Sequence, residues 1–120
     1  MNSTIHKLLI RISENTISIK KNYIFIRTGQ LNNKIGLVKK GILRGFLTTE
    51  GGKDVNLFFY QENDLFSGNF VPNSRASINI QALEDSIIII GDFKKIIKLI
   101  AEDENVNNIN TVPLNSKIVL

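Results

Sequence analysis

The stretch Gly29-Gln30-Leu31-Asn32-Asn33-Lys34-Ile35-Gly36-Leu37-Val38-Lys39-Lys40-Gly41 decides how this chain is read. Two glycines stand twelve residues apart with a short apolar run, Ile35 to Val38, between them. The run reads as a strand, Thr28-Gly29-Gln30 as the turn before it, and Lys39-Lys40-Gly41 as a tight corner after it.

Downstream the same punctuation continues. Ile42 to Thr49 and Lys53 to Tyr60 read as two strands joined by Glu50-Gly51-Gly52. A Gly-Gly pair between β-rich runs signals a hairpin, because hairpin turns need positive φ. Gln61 to Asp64 is a turn, Leu65-Phe66 a short apolar step, and Ser67 to Ser74 a loop marked by Gly, Asn and Pro. Ala76 to Ala82 reads as a strand with Ile78 and Ile80 on one face. Ser86 to Ile90 reads as a strand buried on both faces, since four successive positions are Ile. Asp92 caps a final helix whose Phe93, Ile96, Ile97 and Ile100 keep helical spacing. Beyond Ala101 that spacing ends: Asn105, Asn107, Asn108 and Asn110 form helix weakly, and Pro113 blocks continuation. Leu114 to Leu120 reads as a short strand or a loose tail.

Upstream, Tyr23 to Ile26 follows Lys20-Lys21-Asn22 as a strand, and Ile17 and Ile19 alternate with polar neighbours. Residues 3–14 read as a helix, with Ile5, Leu8, Leu9 and Ile12 on one face and Ser3 or Thr4 as its cap. The expectation is a mainly β domain, a rolled double-sheet jelly roll of seven or eight short antiparallel strands between two helices. One domain spans 1–120: an N-terminal helix over 1–15, a β-roll over 16–91, a helix over 92–101 and an irregular tail over 102–120.

Composition sets limits. A chain of 120 residues with 42% apolar content supports one independent core. The net charge is +4, but the basic pairs Lys20-Lys21, Lys39-Lys40 and Lys94-Lys95 are scattered and form no stripe for nucleic acid. With no cysteine, disulfides, thiolate catalysis and zinc–thiolate sites are excluded. No apolar run approaches the roughly 18 residues that a membrane helix needs, and the N-terminus lacks the charged start and apolar core of a signal peptide. A cytoplasmic protein without membrane contact is expected.

Taken in order, Gly29 and Gly41, Gly52-Lys53, Leu57 to Tyr60 with Asn63-Asp64, Ala82-Leu83-Glu84-Asp85 with Ile87 to Ile90, and the helix opened by Phe93 resemble the cyclic-nucleotide-binding β-roll (a double-stranded β-helix) of the Crp/Fnr family of bacterial transcription regulators. The resemblance runs from about Ile17 to Ile100. It implies an effector-sensing regulatory domain that binds a small anionic ligand, a cyclic nucleotide or a different effector, inside the roll. In the family a phosphate-binding cassette presents a Gly-Glu doublet, then Arg and a small residue. The Arg and nearby amides hold the phosphate, and the Glu accepts from the ribose hydroxyl. Carried onto this chain, the ligand-binding set is Gly68, Asn69, Arg75, Ala76 and Ser77. Asn69 stands where the family has Glu, the loop is several residues shorter, Pro72 falls inside it, and Arg75 sits about one residue out of register.

A second function stays open: a degenerate, non-liganding β-roll serving as a protein-interaction or dimerisation module, with Phe58, Phe59 and Phe66 filling the pocket. An enzyme is not expected. The fold also hosts cupins, but His6 alone cannot build their metal site. The carboxylates Glu62, Asp64, Glu84 and Asp85 fall in turns, where acidic residues are common. No cofactor or metal is expected beyond a cyclic nucleotide as ligand. A homodimer through the C-terminal helix would show as an apolar patch near Ile97 and Ile100. No DNA contact is expected, because a helix-turn-helix has no room after the helix.

Overall fold

The computed structural model describes residues 7, 15–69 and 71–102. Apart from Lys7, the expected first helix lies outside the described residues, as do His6, Phe70 and the tail beyond Glu102. The elements run β1 (Asn15–Ile19), β2 (Ile24–Ile26), β3 (Leu31–Asn32), β4 (Lys34–Lys40), β5 (Leu43–Thr48), β6 (Asp54–Tyr60), β7 (Leu65–Phe66), β8 (Ser74–Arg75), β9 (Asn79–Ala82), β10 (Ser86–Asp92) and α1 (Phe93–Glu102). One sheet has the order β1-β10-β4-β7, a second β2-β9-β5-β6, and β3 and β8 form a separate ribbon. Every pairing is antiparallel. The architecture is the expected mainly β roll, closed by a helix.

The described residues hold ten strands where seven or eight were expected. The excess is β3, β7 and β8, two residues each, too short to carry an apolar period. Boundaries also move. β4 runs on through Lys39 and Lys40, and the corner falls on Gly41 alone, at φ +105°. A Cβ there would stand 2.6 Å from Ser86 Cβ and 2.9 Å from its Cα, so Gly41 answers to a close approach as well as to its turn. The expected strand over Ala76 to Ala82 becomes regular only at Asn79. Before that, the amides of Ala76 and Ser77 are given to Gln30 O and Gly68 O.

The core lies between the two main sheets. Ile26, Val38, Leu43, Tyr60, Phe66, Ile80 and Ile88 are buried in it, each burial stabilising by about 1.5–3 kcal/mol. Phe66 occupies the centre. Its ring meets Phe25 edge-on at 6.2 Å and Tyr60 at 6.0 Å between centroids. It also lies over Gly36, its register partner on β4, where any Cβ would collide with the ring. Of the three aromatics expected to fill the roll, Phe66 is fully buried and Phe58 packs against the core, but Phe59 is 62% exposed. Phe59 lies opposite Arg44 in the ladder, on the other face of β6 from Phe58, so the period of two turns it outward.

Ile88 and Ile90 point into the roll, and Ile89, on the opposite face of β10, is buried too. α1 packs on β10, with Phe93 and Ile96 fully buried and Lys94, Lys95 and Lys98 exposed. On the second sheet, Arg44 bonds Gln81 Oε1 at 2.8 Å, Asn56 Oδ1 at 2.8 Å and Asp54 Oδ2 at 3.1 Å, while its guanidinium lies 3.8 Å over the Phe46 ring. The hydroxyl of Thr48, and then Arg44, hold the Asp54 carboxyl below its usual range.

Candidate ligand site

The 67–77 segment leaves β7 at the centre of the roll and returns as β8. Gly68 lies where only glycine fits: a Cβ would stand 2.6 Å from Ile26 Cγ2. Its carbonyl accepts from the Ser77 amide at 2.7 Å and the Ser77 hydroxyl at 3.2 Å. On the other side of the segment, Gly29 N–H donates to Ala76 O and Ala76 N–H to Gln30 O, both at 2.8 Å. The turn at Gly29, at φ +89°, thereby starts the β3–β8 ribbon, in which Leu31 pairs with Arg75 and Asn32 with Ser74.

Arg75 and its partner Leu31 are both exposed. The guanidinium donates to Gly29 O at 2.7 Å, back across the outside of the ribbon. Ala76 is buried and Ser77 exposed. The five sequence-predicted residues are thus neighbours along one folded segment. The amides of Ala76 and Ser77 are given to protein carbonyls.

Asn69 is 3% exposed and Asn32 is 7% exposed. Asn69 Oδ1 accepts from Asn32 Nδ2 at 2.6 Å. Asn69 Nδ2 faces Val71 O at 2.7 Å, Ser74 Oγ at 2.9 Å, Asn32 O at 3.1 Å and Ser74 O at 3.4 Å. Asn32 Nδ2 also reaches Lys34 O at 3.0 Å. An amide can both accept and donate in this way, whereas an ionised carboxylate only accepts.

Asn32 and Ser74 were not singled out from the sequence. Asn32 reads as one more polar residue before a strand, and its partner lies 37 positions away. A buried amide becomes recognisable only when the chain is folded.

Depressions lined by described residues include two. One, of about 370 Å³, is lined by Leu31, Asn32, Asn33 and Asn73. The other, of about 250 Å³, is lined by Ser18, Ile19, Lys20, Lys40, Asp85, Ser86 and Ile87. Neither is lined by Gly68, Asn69, Arg75, Ala76 or Ser77. Among the described residues, no group of three or more His, Cys, Asp or Glu side chains is placed to hold a metal, and no helix is long and apolar enough to cross a membrane.

No family model and no curated protein matches the chain. Solved structures do. The catabolite activator protein of Thermus thermophilus superposes with a TM-score of 0.72 at 19% identity, over 90% of this chain and 50% of that one. A transcriptional regulator from Thermotoga maritima gives a TM-score of 0.71 at 19% identity, over 91% of this chain and 83% of that one. The cAMP-bound PfPKA-R structure gives a TM-score of 0.70 at 16% identity, over 85% of this chain and 38% of that one. The chain therefore spans half the length of the Thermus protein and less of PfPKA-R. At these identities the likeness is one of fold, and the fold is that of the cyclic-nucleotide-binding-like domain found in Crp/Fnr-type regulators.

Proposed function

We propose that this chain is a regulatory β-roll domain of the Crp/Fnr type whose 67–77 segment is folded shut against cyclic nucleotides, and that it acts through contacts with other protein surfaces. It is not an enzyme in this reading. The observation that carries the proposal is the commitment of the cassette's own groups. The Ala76 and Ser77 amides go to Gln30 O and Gly68 O, and the buried Asn69 amide is held by Asn32, Val71 and Ser74. Support for protein contacts comes from β6, at the edge of its sheet, where Val55, Leu57 and Phe59 are 42%, 44% and 62% exposed. An edge strand that exposes apolar side chains is a natural docking line. A homodimer through α1, where Ile97 and Leu99 are half-buried, is a further contact of this kind. The side chain of Ile100 lies outside the described residues.

A second reading follows from Arg75. Its guanidinium is exposed and bonded to one carbonyl, so its other N–H groups are available to an anion. In that reading Gly68, Asn69, Arg75, Ala76 and Ser77 form the contact set for a small anionic effector, with a cyclic nucleotide as the first candidate.

Thermal-shift and calorimetric titration with cyclic AMP and cyclic GMP separates the two. A ligand at a hundred times its dissociation constant adds about 2.7 kcal/mol of stability, a shift of several degrees. The expected result is no shift at millimolar nucleotide. Saturable binding that disappears in Arg75→Ala would replace the first reading with the second.

A further inference from the structure

We propose that the Asn32–Asn69 amide pair is a latch that holds the 67–77 segment shut, with Asn69 as its positioning residue. The proposal rests on reading that segment as the effector-facing part of a regulatory β-roll. A single buried side chain, Asn69, ties together three pieces of chain: β3 through Asn32, the turn through Val71, and β8 through Ser74. Asn32 extends the tie to the start of β4, donating to Lys34 O and accepting from Lys34 N. Ser67 Oγ reaches the same Lys34 carbonyl at 3.2 Å, and Ser74 Oγ donates to Val71 O at 2.7 Å. The cluster is closed on itself: every buried side-chain nitrogen and oxygen among the described residues has a partner.

The chemistry of the position requires an amide. Asn69 Nδ2 has two hydrogens, and the oxygens around it belong to three backbone carbonyls and one hydroxyl. A carboxylate here would set its oxygens against those carbonyls, with only Asn32 Nδ2 and the Ser74 hydroxyl, itself already given to Val71 O, as donors facing it. The oxygen of Asn69 is likewise taken by Asn32, so it is not offered to a sugar hydroxyl. The residue that replaces a ribose acceptor has been turned inward to fasten its own loop. When the latch opens, Val71 to Ser74 loses its anchor, and the amides of Ala76 and Ser77 can leave Gln30 O and Gly68 O.

Amide hydrogen exchange on the whole chain tests this. In Asn69→Asp and in Asn32→Ala, exchange of the Ala76 and Ser77 amides should accelerate about tenfold, the size expected when a buried hydrogen-bonded group loses its partner. The amides of Ile88 to Ile90 on β10 should keep their protection. If Asn69→Asp fails to fold, Ser74→Ala removes one partner from the rim, and a smaller acceleration confined to residues 67–77 supports the latch. Unchanged exchange in that segment would overturn it, and so would equal acceleration of the segment and β10, which would make the pair an ordinary contributor to global stability. Titrating the unsubstituted chain with cyclic AMP decides the functional reading separately. Binding there, with loosening still confined to the segment in the variants, would sink the closed-cassette function and leave the latch standing.

Discussion

At the level of single residues, the features that hold this roll are glycines and aromatics whose roles differ in how far the sequence shows them. Gly41 was legible as a corner, because a lone glycine after two lysines interrupts a strand. That a Cβ there would run into Ser86 was not, since the neighbour is 45 residues away and meets it only through the β4–β10 pairing. Tyr60 shows the same divide. Its place at the end of the strand from Lys53 was legible, but its titration depends on what surrounds it. Burial first, and the charge of Asp64 second, push its phenol well above the usual tyrosine range. The unfolded chain releases this proton near pH 10, whereas the folded chain keeps it to higher pH. The group's contribution to stability is therefore complete below about pH 10 and is lost as pH rises from there through the folded value, by up to about 1.4 kcal/mol per pH unit. Urea unfolding at pH 8 and pH 11 should show a loss about 1 kcal/mol larger in the unsubstituted protein than in Tyr60→Phe. Equal alkaline losses would mean that Tyr60 ionises in place.

Among the elements, those with a strong period were legible and those held by single contacts were not. The hairpin of β5 and β6, the isoleucine strand β10 and the helix α1 each announce themselves by spacing. The ribbon of β3 and β8 does not: Leu31-Asn32 and Ser74-Arg75 alternate nothing, and the ribbon exists because Gly29 turns the chain and the Asn32–Asn69 amides fasten it. The same limit applies to the candidate site. Its five residues were legible as one segment, but the direction of Arg75 and the engagement of the Ala76 amide depend on partners around Gly29, and that of the Ser77 amide on Gly68 O. At the start of α1 a short-range signal was enough. Asp92 ends β10 and also accepts from the Lys95 amide at 3.0 Å, while Phe93 N–H is given to Asn33 O at 2.8 Å. Lys94 and Lys95 occupy the first turn, where positive charge opposes the helix dipole, so the capping carboxylate has more to offset than usual. Asp92→Ala should cost about 1 kcal/mol and lower the melting temperature by several degrees. An unchanged melt would show that Asn33 alone secures this end.

For the whole molecule, the class of fold was readable from the turn spacing, but the assignment of strands to sheets was not. β1 pairs with β10 and β2 with β9, connections closed late in the chain and carried by no local signal. The consequence is a core in which the two sheets stabilise each other. Phe66 makes this concrete. It belongs to the first sheet through β7, lies on Gly36 of β4, and meets Phe25 and Tyr60 of the second sheet. Neither sheet can bury its inner face without the other, so they should unfold as one unit. Phe66→Ala removes the largest fully buried side chain at the seam and should cost about 3–5 kcal/mol, a large part of the roughly 5–15 kcal/mol typical of a whole domain. Hydrogen exchange under mild urea can then compare Ile88 to Ile90 in the first sheet with Leu43 to Phe46 in the second. The substitution should reduce protection in both by the same factor, with one cooperative urea transition at a lower midpoint. If protection collapses in one sheet and survives in the other, the roll is two weakly coupled layers. Under the regulatory reading proposed above, a signal arriving at the edge strand β6 would then have no rigid path through the core to α1.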